Sequence, residues 1–156
     1  MQDDSHTIVR TYKGSLPEIW DLWTTQKGFE SWWGPQGFRA DVHAIDARSG
    51  GELRYDMVAA TDEMIAAMAA MGEPASHATR ATFSTIEPHA RIVMTNVIDF
   101  LAGVPPYTNE ITVEFAAGAG TVTMTVTLPP MHDATFTKMQ LEGFTSQLTK
   151  LDDRLA

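Results

Sequence analysis

Between residues 36 and 128 the apolar positions recur every second residue, and this period leaves few options for the fold. Six segments carry it, near 38–46, 52–60, 77–87, 91–100, 109–116 and 121–128. Successive side chains of a strand point to opposite faces, so a period of two marks strands with one buried and one wet face. Short turn signals separate several of them: Ser49-Gly50-Gly51, Glu87-Pro88-His89 and Ala117-Gly118-Ala119-Gly120. Turns this tight join antiparallel neighbours, whereas parallel strands need long crossovers. An antiparallel meander follows, and its single apolar face demands a cover.

The last segment supplies that cover. After Pro129-Pro130, with Asp133 as the N-cap, Leu141, Phe144, Leu148, Leu151 and Leu155 step by three and four, which is the stripe of a long amphipathic helix. Gly143 interrupts it at a cost of about 1 kcal/mol relative to Ala, and close packing against the sheet would account for its presence. At the other end, residues 6–13 read as strand one, closed by Gly14. Ser15 and Glu18 have the spacing of a capping box, and Leu16, Ile19, Trp20 and Trp23 predict a helix ending near Gln26. Phe29, Trp32 and Trp33 repeat that spacing for one short second helix before Gly34-Pro35. The alanine and methionine run 64–71, with Thr61 or Asp62 before it and Gly72 after it, predicts a further helix between strands three and four.

At 156 residues the chain is expected to be one domain, 1–156, with a core large enough to fold without metals or disulfides. The 11 basic and 20 acidic side chains leave a net charge of −9, which repels phosphate backbones and anionic lipid surfaces. Neither nucleic acid nor membrane is an expected partner. There is no cysteine, so thiolate nucleophiles and Cys-type zinc sites are excluded. The polar start at 1–6 and the lack of a long apolar stretch lead to the expectation of a cytoplasmic protein. The five histidines, His6, His43, His77, His89 and His132, fall on different elements without metal-ligand spacing. No nucleophile elbow or phosphate loop is present either, so no catalytic residue, metal or cofactor is assigned. Asp41 with His43, and Glu52 with Arg54 and Asp56, read as the wet outer face of the sheet.

The order strand, two helices, six strands and a long helix is that of the helix-grip fold, an α+β architecture. Ser31-Trp32-Trp33-Gly34-Pro35, Gly37-Phe38, the run from Arg48-Ser49-Gly50-Gly51 through Glu52-Leu53-Arg54-Tyr55, and Glu87-Pro88 with Arg91-Ile92-Val93 carry a more specific likeness. They resemble the SRPBCC (START/Bet v 1-like) superfamily, in the branch named after the activator of the ninety-kilodalton heat-shock chaperone's ATPase. The resemblance implies a seven-stranded curved sheet gripping the C-terminal helix, with an apolar cavity between them. Members include lipid and hormone carriers and polyketide cyclases. The chaperone-activating role belongs to eukaryotic members with a further N-terminal domain, for which these residues leave no room, so that activity is not expected. The 61–75 insertion departs from the pattern.

In a meander, connections alternate between the two ends of the sheet. The three tight turns share one end; the longer segments 33–38, 61–75, 101–108 and 129–133 converge at the other, where the cavity mouth is expected. Strand phase points Leu53, Tyr55 and Met57 inward, with Ile111, Val113 and Phe115, and Val122, Met124 and Val126. In strand five the preferred inward set is Ile92, Met94, Asn96, Ile98 and Phe100; strand four is ambiguous, Ala81 and Phe83 favouring one face and Ile86 the other. Asn96 either hydrogen-bonds a ligand or bonds to the protein itself. Trp32-Trp33 are a ligand platform or core, with one of the two expected to be structural. Met64, Met68 and Met71 are an adaptable lid, a helix packed on the sheet end, or a homodimer contact. The nominated ligand-binding set is Trp33, Phe38, Tyr55, Met57, Met64, Met68, Met94, Asn96, Phe100, Tyr107, Met124, His132, Phe136 and Met139. Two functions remain open: a binding domain for a small apolar or aromatic molecule, and a cyclase- or hydrolase-like enzyme using Tyr55, Asn96, Tyr107 or His132. A third makes the methionine helix a protein-interaction surface.

Overall fold

In the computed structural model, which describes residues 5–99, 101 and 103–156, one antiparallel sheet contains all seven expected strands. They are β1 (His6–Lys13), β2 (Phe38–Ile45), β3 (Gly51–Ala59), β4 (Ser76–Glu87), β5 (Arg91–Ile98), β6 (Tyr107–Ala117) and β7 (Thr121–Leu128). The order across the sheet is β1-β7-β6-β5-β4-β3-β2, so β2 to β7 form a meander and β1 joins its far edge. Strands consecutive in sequence but at opposite edges need a connection that spans the sheet. Helices α1 (Leu16–Thr24) and α2 (Gln26–Glu30) make it, burying Ile19, Trp20, Leu22, Trp23 and Phe29. Helix α3 (Asp62–Ala70) joins β3 to β4, and α4 (Ala134–Arg154) is the long C-terminal helix.

The caps follow the sequence. Ser15 accepts from the Glu18 N–H, Thr61 from Met64 and Asp133 from Phe136, each satisfying one orphan donor of a helix start. Thr25 was not foreseen as a cap, and its hydroxyl accepts from the Gly28 N–H at 3.0 Å. It ends α1 two residues early and starts α2 at Gln26, so the expected helical turn through Trp32 and Trp33 is displaced. Both tryptophans lie just beyond the helix and are buried, with Phe29 stacked on Trp33 at 4.5 Å.

The ambiguous phase of β4 has a physical origin. A register shift between Phe83 and Thr85 inserts one residue, so Phe83 before it and Ile86 after it both face inward. A second shift, between Val42 and Ala44, does the same in β2. The inner face of the sheet and the C-terminal half of α4 share one core, whose buried cluster includes Phe144, Leu148 and Leu151 together with Leu53, Met94 and Val113. The outer face is polar: Glu52 pairs with Arg54, Arg39 with Asp41 and His43 with Asp56. β5 ends at Ile98, short of the expected 100, and the nominated Phe100 lies outside the described residues.

Candidate functional site

The meander sorts its connections as counting requires. At the end away from the tight turns, the loop 34–37, α3, the segment after β5 and the entry to α4 come together. The first is held by a clasp from one flank of α4. Gln147 Oε1 accepts from the Gly34 N–H at 3.0 Å, and Ser146 Oγ from the Gln36 N–H at 3.0 Å. One turn on, Lys150 Nζ donates to the carbonyls of Trp33, Gly34 and Phe38 at 3.3, 3.0 and 2.9 Å. Burial lowers the Lys150 pKa from its ordinary value, and the three carbonyl dipoles replace part of its lost hydration. Gly34 and Gly37 take φ of +101° and +90°, in the region that favours glycine, which brings Gly34 against Met57 and Gly37 against Met64 of α3.

Towards its N-terminus the same flank of α4 is uncovered. Phe144, Gln147, Leu148 and Leu151 are buried, whereas Phe136, Gln140 and Leu141 are half-buried and Met139 is 55% exposed. Gly143 sits one turn before Gln147, and a Cβ built on it meets no atom within 4 Å. The close packing expected to explain this glycine is absent; open space lies beside it. On the sheet, the Phe38 and Met57 side chains and inward-phased His77 and Thr79 are also half-buried, at the end where the long connections lie.

Residues 14–156 match the family described as Activator of Hsp90 ATPase homolog 1-like protein. The chain belongs to this family. Solved structures agree on the fold. A protein from Chromobacterium violaceum superposes with a TM-score of 0.76 at 17% identity, covering 97% of each chain. The AHSA1 protein from Silicibacter pomeroyi gives 0.74 at 16% identity, over 97% of this chain and 96% of its own. A Staphylococcus epidermidis protein gives 0.73 at 20% identity, over 99% and 91%. No functionally curated protein matches at a significant level. The family thus accounts for the helix-grip scaffold, and the site has to be read from this chain's own residues.

The nominated residues separate into three places on that scaffold. Phe38, Met57, Met64 and Phe136 are half-buried and Met139 is exposed; Met68 is the buried residue of α3, while Ile65 of that helix and Met71 at its C-cap are 43% and 65% exposed. Trp33, Tyr55, Met94 and Met124 are core residues. Trp33 donates Nε1–H to the Tyr55 hydroxyl at 3.0 Å, and it is ringed by Trp23, Trp32 and Phe144. Burial pushes the Tyr55 pKa up to about 12, against the lowering effect of the Trp33 hydrogen bond. Tyr107 and His132 form a polar pair at the entry to α4, while Asn96 bonds within the sheet. The Tyr107 hydroxyl is 2.9 Å from His132 Nδ1, His132 Nε2 is 3.5 Å from Asp133 Oδ2, and the His132 ring lies against Phe136 at 4.6 Å. Asn96 donates to the carbonyls of Met94 and Asn109, so its amide bonds to the protein.

Sequence reasoning missed Gln147, Lys150 and Asn109. Asn109 was legible as one step back along the phase of Ile111, Val113 and Phe115, and Gln147 as the residue three beyond Phe144 in the buried stripe. Two shallow depressions, of about 350 and 190 Å³, open instead on the outer face of the sheet, beside Glu114, Thr123 and Thr125 and beside His43, Asp56 and Arg80. Among the described residues no three His, Asp or Glu side chains converge as metal ligands, and no helix is long and apolar enough to cross a membrane.

Proposed function

We propose that the chain binds a small apolar or aromatic molecule in the groove between the flank of α4 that carries Phe136 and Gly143 and the facing Phe38 and Met57. One observation carries this reading: on a helix buried over its C-terminal half, the inner flank of the N-terminal half is left open beside a glycine. A glycine inside a helix costs about 1 kcal/mol relative to Ala, and here no packing contact repays it. Half-buried methionine and phenylalanine side chains supply apolar, adaptable walls. Native mass spectrometry of the purified protein tests the idea, followed by thermal shift with naphthalene and acyl-chain probes. A bound mass, or stabilisation that Gly143→Leu abolishes without lowering the midpoint of the free protein, is the expected result. Protein free of ligand that no probe stabilises refutes it.

A second reading, a cyclase- or hydrolase-like enzyme, draws on the Tyr107, His132 and Asp133 cluster at the mouth. With His132 Nε2–H donated to Asp133, Nδ1 would accept the Tyr107 proton, giving a polar group able to hold or move a proton. Turnover of a bound carbonyl compound that is lost in Tyr107→Phe would favour it; unchanged recovery of the bound molecule would favour simple carriage.

A further inference from the structure

One flank of α4 holds a buried hydrogen-bond donor with no partner in the protein. Gln147 is 4% exposed, its Oε1 accepts from the Gly34 N–H, and its Nε2 has no hydrogen-bond partner in the protein. Flipping the amide does not relieve this, because it would set Nε2 against the Gly34 N–H, donor against donor. An unmade buried hydrogen bond costs free energy, so a native orphan donor calls for an explanation. The other such donor among the described residues, Trp23 Nε1, belongs to a core side chain that is 0% exposed beside the rings of Trp32, Trp33 and Phe115. Gln147 differs in position: it lies one turn from Gly143, whose absent side chain leaves open space on the same flank.

We infer that Gln147 Nε2 is the head-group donor of the groove, and that the ligand is an apolar or aromatic molecule ending in a neutral hydrogen-bond acceptor, such as a ketone or ester carbonyl. This rests on the groove being a binding site and adds the chemistry of its inner end. The acceptor oxygen takes the Nε2–H, the Gly34 N–H keeps Oε1 on the other side of the amide, and the apolar body runs past Gly143 towards Phe136 and Met57. A carboxylate fits less well, because the neutral Gln147 amide offers no charge to offset that of a head group at that depth. An amine does not meet the unpartnered group, because Nε2 is a donor and Oε1 already accepts from the Gly34 N–H.

The test uses two probes of one shape, 2-acetylnaphthalene and 2-isopropenylnaphthalene, which differ in a carbonyl oxygen against a methylene. Titrated into the full chain, the ketone is expected to bind about tenfold more tightly than the alkene, and to shift the Gln147 side-chain amide resonance downfield. Gln147→Glu keeps an acceptor for Gly34 and turns the donor into an acceptor, so it should abolish the ketone preference; Gln147→Met, with similar shape and no donor, should equalise the two probes. Thermal midpoints of both variants separate a folding defect from a binding one. Equal binding of the probes to the wild type overturns the role of Gln147 and leaves the groove standing. Binding of neither overturns both. A Gln147 amide that contacts a long-lived water and is unmoved by the ketone also overturns the assignment, identifying the missing partner as structural water.

Discussion

Replacing Tyr55 by Phe tests the physics of the aromatic core through its pH dependence. The Tyr55 hydroxyl is buried and accepts from Trp33 Nε1 at 3.0 Å, and burial raises its pKa from 10.0 to about 12. A group whose pKa is higher in the folded state contributes stability that is fully present below the unfolded value and is lost as pH rises through the folded one. The window is therefore pH 10 to 12. A shift of about 2 units corresponds to roughly 3 kcal/mol in total, of which about 1.4 kcal/mol is lost by pH 11. Tyr55→Phe removes this loss, but at pH 8 it leaves the buried Trp33 N–H unpaired, at a cost of about 1–3 kcal/mol. The variant should be less stable than the wild type at pH 8, and the gap should close between pH 10 and 12. Urea unfolding followed by tryptophan fluorescence at pH 8, 10, 11 and 11.5 measures it. A constant gap across that range would falsify the assignment of Tyr55 as a buried, neutral hydrogen-bonding group.

The clasp makes a second prediction: Lys150→Met leaves the carbonyls of Trp33, Gly34 and Phe38 without their donor and should cost about 1–3 kcal/mol, with faster amide exchange over residues 34–38 in hydrogen-exchange mass spectrometry. Gly143→Ala should stabilise the protein by roughly 0.5–1 kcal/mol in urea unfolding, because its Cβ enters open space; destabilisation would mean that the site is packed. Leu148→Ala, at a fully buried position, should cost about 2–5 kcal/mol, while Phe136→Ala, half-buried at the mouth, should cost well under that range. Thr61→Ala removes the α3 cap and should speed amide exchange of Ile65 to Met71, with little change in the global midpoint.

Strand order, the inner faces of β3, β6 and β7, the insertion helix and the cap of α4 were legible because period and cap chemistry act locally. The misreadings were local as well. Thr25 could be read as an interior helix residue until its hydroxyl was seen to accept from Gly28, and one inserted residue in β4 reverses the phase that alternation assumes. The site was legible only in outline. Met94 and Met124 have the right phase to face a cavity, yet phase says which side a residue faces and nothing about what fills the space opposite. Here that space is filled by the aromatic side chains of α1, α2 and the segment after α2. Gln147 and Lys150 were not nominated because their partners, Gly34 and the carbonyls of 33–38, are more than 100 residues away in sequence.

That distance also explains how one helix serves two purposes. The flank of α4 that binds the 34–38 loop uses Ser146, Gln147 and Lys150, all in its C-terminal half, where Leu148 and Leu151 are also buried. The hydrogen bonds to the 34–38 loop are thus concentrated in the C-terminal half, and the N-terminal half presents half-buried Phe136, Gln140 and Gly143. An alanine at 143 would meet no atom and would favour the helix, whereas an apolar residue at 147 would remove the unpartnered Nε2 only by leaving the buried Gly34 N–H unpaired. Gly143 and the half-satisfied Gln147 amide lie one turn apart on the flank where the proposed ligand is placed, and a polar group of that ligand would complete the hydrogen bonds of the amide.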